Sequence, residues 1–586
     1  MKDLKFEKKK INKKPIIIAL VTVVVLVIMF VGFKLLVKVG NPKYFYNYLH
    51  DAAGSLPVTK SDSALKDADA SKAFCTENTS PEAHGVTEKL MVNLVEGAKL
   101  PEGRRISFSE DKVKQLEEVS ALTTFRGSYW RNKSSVGKAE ILQEKFNRNT
   151  WEYGTGKILK SNGVDYWSGN GWTGQPIVVK WDKSVKQIMN LNENARNKAE
   201  LTEIIYPGMD GSIHFLDMET GAQTRPDIYV GMTFKGTASI YPDGKTPLLF
   251  CGSGDAQTGP FGENVSQRFY VYSLIDGSLL FEWGMNDGFA PRVWHAYDSS
   301  PIIDPESDTL IYPGENGVIY SMKLNTVFDA EAGTISVNPS DMVEYAFTIE
   351  DKYKEGGFLW GSECSGSVWE NYLYLADNSG SIFCIDLNTM KMVWINEVNE
   401  DVNSSIIFES DEGNHFIYVA TTLKYGYNSH NMGEAAIFKI NAMNGEIIWK
   451  KPYEVHTVKG YAGGVLSTGA LGSGKMSDCI FYSVSKTPEL EGGYLVALNK
   501  YSGEEVWRLD LDMYSWSSTG YITTEEGKSY LLQGCQNGDL LLINAETGEV
   551  LDKMNFGSGI EATPAIFGNR IVLATRSEKI IGVKLE

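Results

Sequence analysis

Leu498-Asn499-Lys500-Tyr501-Ser502-Gly503-Glu504-Glu505-Val506-Trp507 reads as the end of one β-strand, a tight turn and the start of the next strand. The aliphatic–Asn step closes the first strand. The Asn side chain can bond the turn's own amides, and Gly503 supplies a positive φ. The phrase recurs at Ile440-Asn441-Ala442-Met443-Asn444-Gly445-Glu446-Ile447-Ile448-Trp449, and its first half at Leu542–Gly548 and Leu216–Gly221. A unit of several short strands repeated every ~40–60 residues predicts a β-propeller.

Aligning the strands around these turns gives eight units. Third strands are expected at Ser212–Asp217, Phe269–Leu274, Val318–Leu324, Ser381–Leu387, Ala436–Asn441, Tyr494–Asn499, Asp539–Asn544 and Lys579–Leu585. Each is apolar or alternating over five to seven residues, as strands buried on both faces are. The fold class is therefore all-β, an eight-bladed propeller over residues 123–586. The eighth unit stops after its third strand and leaves an open edge. Glu140–Thr150, just ahead of the first unit, is expected to close it.

The N-terminus has a different chemistry. Residues 1–14 form a basic tail with seven Lys, and Pro15–Phe33 is a run of 19 uncharged residues. That run is long enough to cross ~30 Å of hydrocarbon. A transmembrane helix is expected over 15–37, with the tail cytoplasmic by the positive-inside rule and the propeller extracellular. Residues 38–122 read as an extracytoplasmic linker or stalk, with weak helical spacing at Val86–Val95 and Ser109–Leu122. Net charge is −18; the first forty residues carry +7, so the remainder carries −25. A body of that sign repels nucleic acid and attracts basic partners. The six cysteines are sparse and irregular, with no CxxC, CxxCH or adjacent pair, so free, buried thiols are expected rather than a disulfide framework.

The phrase at Ala497–Trp507 resembles the tryptophan-docking repeat of quinoprotein-type (PQQ-repeat) eight-bladed propellers. Phe125-Arg126-Gly127-Ser128-Tyr129-Trp130-Arg131 resembles the stretch that opens many of them. The resemblance implies that Trp394, Trp449 and Trp507, with Phe281 in the same slot, wedge between blades. In that arrangement Gly445, Gly503 and Gly548 are structural. The family includes pyrroloquinoline-quinone (PQQ) alcohol dehydrogenases, which hold the quinone on the propeller axis with Ca²⁺ and adjacent cysteines. It also includes non-catalytic members. Here adjacent cysteines are absent, no catalytic Asp is placed by motif, and no nucleophile elbow, Walker loop or HExxH occurs. The expectation is a non-catalytic scaffold with no catalytic residues and no cofactor. PQQ with Ca²⁺ stands as the alternative, beside a carbohydrate-binding surface sensor.

Propellers bind at the channel mouth. The positions just ahead of each innermost strand give a candidate rim of Trp172, Lys235, Tyr297, Asp298, Glu363, Asp401, Tyr461, Trp516 and Glu561. Aromatics beside a few charges suit a sugar, a peptide or a partner loop. Asp298, Glu363 and Glu561 are candidates to hold a cation between them, of unknown identity. Expected partners are the membrane and a protein or cell-wall ligand.

Overall fold

The computed structural model describes residues 72–586 except 161, 171, 173, 256, 259–263, 266, 293, 350–360, 399, 424–430 and 459. The expected membrane span lies outside the described residues. Among those residues no helix is long and apolar enough to cross a bilayer.

Eight antiparallel sheets follow one another along the chain. Blade 1 runs outward from Ile177–Lys180 through Thr202–Pro207 and Ser212–Asp217 to a two-residue outer strand, Ile228–Tyr229. Blade 4 is the regular case: Ser367–Trp369, Tyr372–Ala376, Ser381–Asp386 and Lys391–Glu397. Blade 7 repeats it with Gly520–Thr523, Ser529–Gly534, Asp539–Asn544 and Val550–Asn555. In blade 8, Ala565–Phe567, Arg570–Thr575 and Lys579–Lys584 are joined by a fourth strand from the other end of the domain, Trp151–Gly154. Closure therefore occurs where it was expected, but the paired strand begins one residue past Thr150. Within Glu140–Thr150 the ladder contact is a single bridge, Phe146 to Leu585, with flanking hydrogen bonds to Lys584 and Glu586 and ion pairs of Glu144 to Lys528 and Arg148 to Asp552.

The seams explain the repeat. The indole N–H of Trp394, Trp449 and Trp507 donates at 3.0 Å to the carbonyls of Ala442, Lys500 and Ala545 respectively. Each ring lies flat on the turn glycine of the next blade: a Cβ added at Gly445 would stand 2.5 Å from the Trp394 ring, and one at Gly503 2.8 Å from Trp449. Trp151 does the same to Met218 and Gly221, so the closing strand carries a fourth docking tryptophan. Phe281 sits at the corresponding ladder position of blade 2, where it packs on Phe269 and Trp283.

The stalk is only partly as expected. Glu110–Glu117 is a helix capped by Ser109, with Val113 buried. Val86–Val92 is a strand, not a helix. It pairs residue for residue with the outer strand of blade 3, Ser340–Ile349, and covers that open edge. This segment belongs to the propeller body. All six cysteines are unbridged; five are buried and Cys75 is exposed.

Residues 119–136 run beneath the channel and touch every blade. Ala121–Leu122 pairs with blade 1 and Ser135–Val136 with blade 8. The Thr123 carbonyl accepts from Ile240 of blade 2, and the Tyr129 hydroxyl from Ile303 of blade 3. Carbonyls of Tyr129 and Trp130 accept from Val368 and Phe408, in blades 4 and 5. Arg126, fully buried, donates to Gly469 O and Thr519 O in blades 6 and 7. Arg131, also fully buried, donates to Gly366 O. Each of these contacts falls on the inner strand of its blade or on the residue just ahead of it, so the segment seals one end of the channel.

Candidate functional site: the open channel mouth

Directly against the sealed base, hydrogen bonds pass from blade to blade around the axis, and Arg126 N donates to the Gln175 side chain there. Backbone amides of Gln175, Ser300, Ser365, Ser405 and Thr468 donate to the hydroxyls of Thr237, Ser365, Ser405, Thr468 and Ser518. Ser239 to Pro301 O, Ser517 to Ala562 O and Thr563 N to Gly174 O complete the circle. The ring gives a common register. Lys235, Asp298, Glu363, Trp516 and Glu561 each stand two residues ahead of a ring member.

That register corrects three rim assignments. In blades 5 and 6 the equivalent positions are Asn403 and Leu466, not Asp401 and Tyr461. Blade 6 reaches its inner strand through an extra turn closed by the Val458–Tyr461 bridge, an insertion invisible without the ring. Tyr297 neighbours Asp298, and the alternation of an extended chain sends it the other way. It is fully buried between blades 2 and 3, its hydroxyl bonded to Gly284 O and Tyr320. Asp401 is buried too, accepting from Asn378 at 2.8 Å and Thr422 at 3.3 Å.

The side chains gathered at the mouth, Tyr461 among them although it stands off the ring's register, form two arcs. One is aromatic. Trp516 touches Trp172 at 6.4 Å, Tyr461 at 6.4 Å and Tyr514 at 5.5 Å between ring centroids. Tyr461 is 55% exposed although it stacks on Trp516, which is only 7% exposed. Lys235 lies over Trp172 and Lys486 over Tyr514, within cation–π range. Burial lowers the Lys486 ammonium to about 8. Glu561 accepts from Gln536 and from the Trp172 amide, and so ties the arc together.

The other arc is acidic. Lys235 pairs with Asp255 at 2.9 Å, and Arg292 with Glu315 at 3.1 Å. Arg292 also donates to Asn378, which donates to Asp401. Burial pushes Asp298 up to about 7, against the pull of Lys235, and the neighbouring Glu363 adds to the rise. Burial likewise holds Glu315 well above the carboxylate range, with Glu363 beside it. Burial disfavours the Lys235 charge, yet Asp298, Asp255 and Glu315 raise its pKa on balance. Glu315, Asn378 and Gln536 were missed from sequence. Each leads the turn between second and third strands, ahead of Asn316-Gly317, Ser379-Gly380 and Asn537-Gly538. That recurring turn was the available signal.

A quinone–calcium pair fits this mouth poorly. No two cysteines are adjacent, and burial raises the thiols of Cys251, Cys364 and Cys535 away from reactivity. Among the described residues no three His, Cys, Asp or Glu side chains are grouped to hold a metal ion. The cation expected between Asp298, Glu363 and Glu561 therefore has no cage there.

Residues 491–585 match the family described as outer membrane protein assembly factor BamB. The C-terminal blades are built from PQQ-like repeats. The chain is 22% identical over 237 residues to outer membrane protein assembly factor BamB of Yersinia pestis, covering 39% of this chain and 53% of that protein. It thus spans about half the length of the curated relative it matches. Among solved structures, BamB from Moraxella catarrhalis aligns at 14% identity and a TM-score of 0.43, over 70% of this chain and 96% of that one. Quinohemoprotein alcohol dehydrogenase from Comamonas testosteroni aligns at 13% and 0.42, over 80% and 83%.

Proposed function

We propose that this chain is a membrane-tethered, non-catalytic propeller that holds a protein or cell-envelope partner at its open mouth. The observation that carries the reading is the asymmetry of the channel. One end is sealed by residues 119–136, while the other presents a cluster of aromatic side chains beside buried charges. Aromatic anchors ringed by polar groups suit recognition of a partner loop. The repeat similarity to an outer membrane assembly factor supports a binding role, and the sequence of residues 15–37 supports the tether.

A photocrosslinking residue at Tyr461 tests this in intact cells, with one at Val327, exposed on the hairpin that joins the third and outer strands of blade 3, as the control. The expected result is a discrete adduct from position 461 alone, lost in Trp516→Ala. Equal adducts from both positions, or none from 461, would rule out the mouth as the binding face. Reduction of a dye by the purified chain with added PQQ and Ca²⁺ would replace the reading with an oxidoreductase.

A further inference from the structure

Five docking glycines recur in this chain: Gly221, Gly277, Gly445, Gly503 and Gly548. Four are covered by an indole ring, whose atoms would stand 2.3–2.8 Å from an added Cβ. Gly277 is not. Its nearest neighbour is the Ile228 side chain, at 3.6 Å from such a Cβ. The turn itself is built like the others, with Gly277 N bonded to Ser273 O at 2.9 Å.

The cause is in the preceding blade. The tryptophan of an outer strand stands four residues after its own docking glycine, as Gly445 precedes Trp449 and Gly503 precedes Trp507. Four residues after Gly221 comes Arg225, followed by Pro226, which stops the outer strand at Ile228–Tyr229. Arg225 reproduces half of the tryptophan's role. It donates at 2.5 Å to Leu274 O, the carbonyl matching Ala442 O, Lys500 O and Ala545 O, and it pairs with buried Glu203. The thin guanidinium does not fill the space of a docked indole. A cleft of about 190 Å³ remains, lined by Phe215, Arg225, Ile228, Leu274, Asp276 and Gly277 among others. At its edge the buried Oδ1 of Asn190 has no hydrogen-bond partner.

We infer that this vacant docking slot between blades 1 and 2 is a binding site for an indole-class ring, flat enough to lie on Gly277 and bearing an N–H donor. The four filled seams of the same chain show what the slot is shaped to take. The carboxylate of Asp276 in the lining suits a donor rather than an anion. The site lies on the outer face, away from the mouth, so it stands or falls independently of the proposed function.

Hydrogen–deuterium exchange on the full-length protein tests it, with indole and N-acetyltryptophanamide as probes. The expected result is saturable slowing of exchange around residues 223–229 and 273–277. Ile228→Trp, which supplies an internal ring, is expected to melt no lower than the wild type and to weaken probe binding at least about tenfold. Asn190→Leu, which replaces a polar lining side chain with a branched apolar one, is expected to weaken it similarly and serves if the first variant misfolds. Protection by both probes identifies a tryptophan side chain as the natural occupant; protection by indole alone identifies a free small molecule. No protection by either probe, or undiminished protection in both variants, would overturn the assignment.

Discussion

Trp449 shows at single-residue scale why the repeat has its form. The ring is buried, its N–H is bonded to Lys500 O, and Gly503 beneath it sits at φ 73° with no room for a Cβ. Asn499 Oδ1 accepts from the amides of Tyr501 and Ser502 and holds that turn open to the ring. Deleting a buried aromatic of this size removes its transfer free energy and leaves a cavity. Trp449→Ala is therefore expected to cost about 3–5 kcal/mol in urea unfolding. Val506→Ala, at an exposed neighbour, is expected to cost almost nothing by the same measurement. The Trp449 contacts reach the next blade, yet they were legible in the sequence because each blade repeats one local phrase: an Asx, a Gly and a Trp at fixed spacing. Arg225 carries the same spacing without the Trp, and the sequence alone did not reveal its substitution for an indole.

At the scale of elements, the informative seam joins the closing strand Trp151–Gly154 to blade 1. His214 lies between Asp227, at 2.8 Å from Nδ1, and Asp210, at 3.1 Å from Nε2, while Tyr153 of the closing strand also donates to Asp227. Burial opposes the imidazolium, but the two carboxylates outweigh it and raise the His214 pKa from 6.5 to about 9. Both carboxylates are correspondingly lowered, though burial works against their charge. A raised folded-state pKa stabilises fully below the unfolded value. The contribution, on the order of 3 kcal/mol, is then lost as pH climbs from about 6.5 through about 9. Stability curves taken across that window should fall for the wild type and flatten for His214→Gln. An equal slope in both would assign the pH dependence to other groups. None of this was visible in the one-dimensional pattern, since Tyr153 meets His214 only when its strand joins blade 8 and closes the circle against blade 1.

Over the whole molecule, closure makes stability a property of the circle. Trp151 docks on blade 1 while its strand completes blade 8, so one short segment joins the last blade to the first. Trp151→Ala is expected to speed amide exchange in both blade 8 and blade 1, with blade 4 little affected at first. Loss confined to the segment's own residues would mean that closure contributes little. The sequence by itself determined the all-β class, the eight units, three of the docking tryptophans and the need for a closing strand. Each of these follows from short-range periodicity and turn chemistry. Only the tertiary structure decided which rim residues meet, because register at the mouth depends on loop lengths between blades. It buried Tyr297 and Asp401, brought Glu315 and Asn378 to the acidic arc, and laid residues 119–136 across the base. Those placements rest on contacts across loops and between blades, up to Arg126 with Thr519 in the base, which no local spacing encodes.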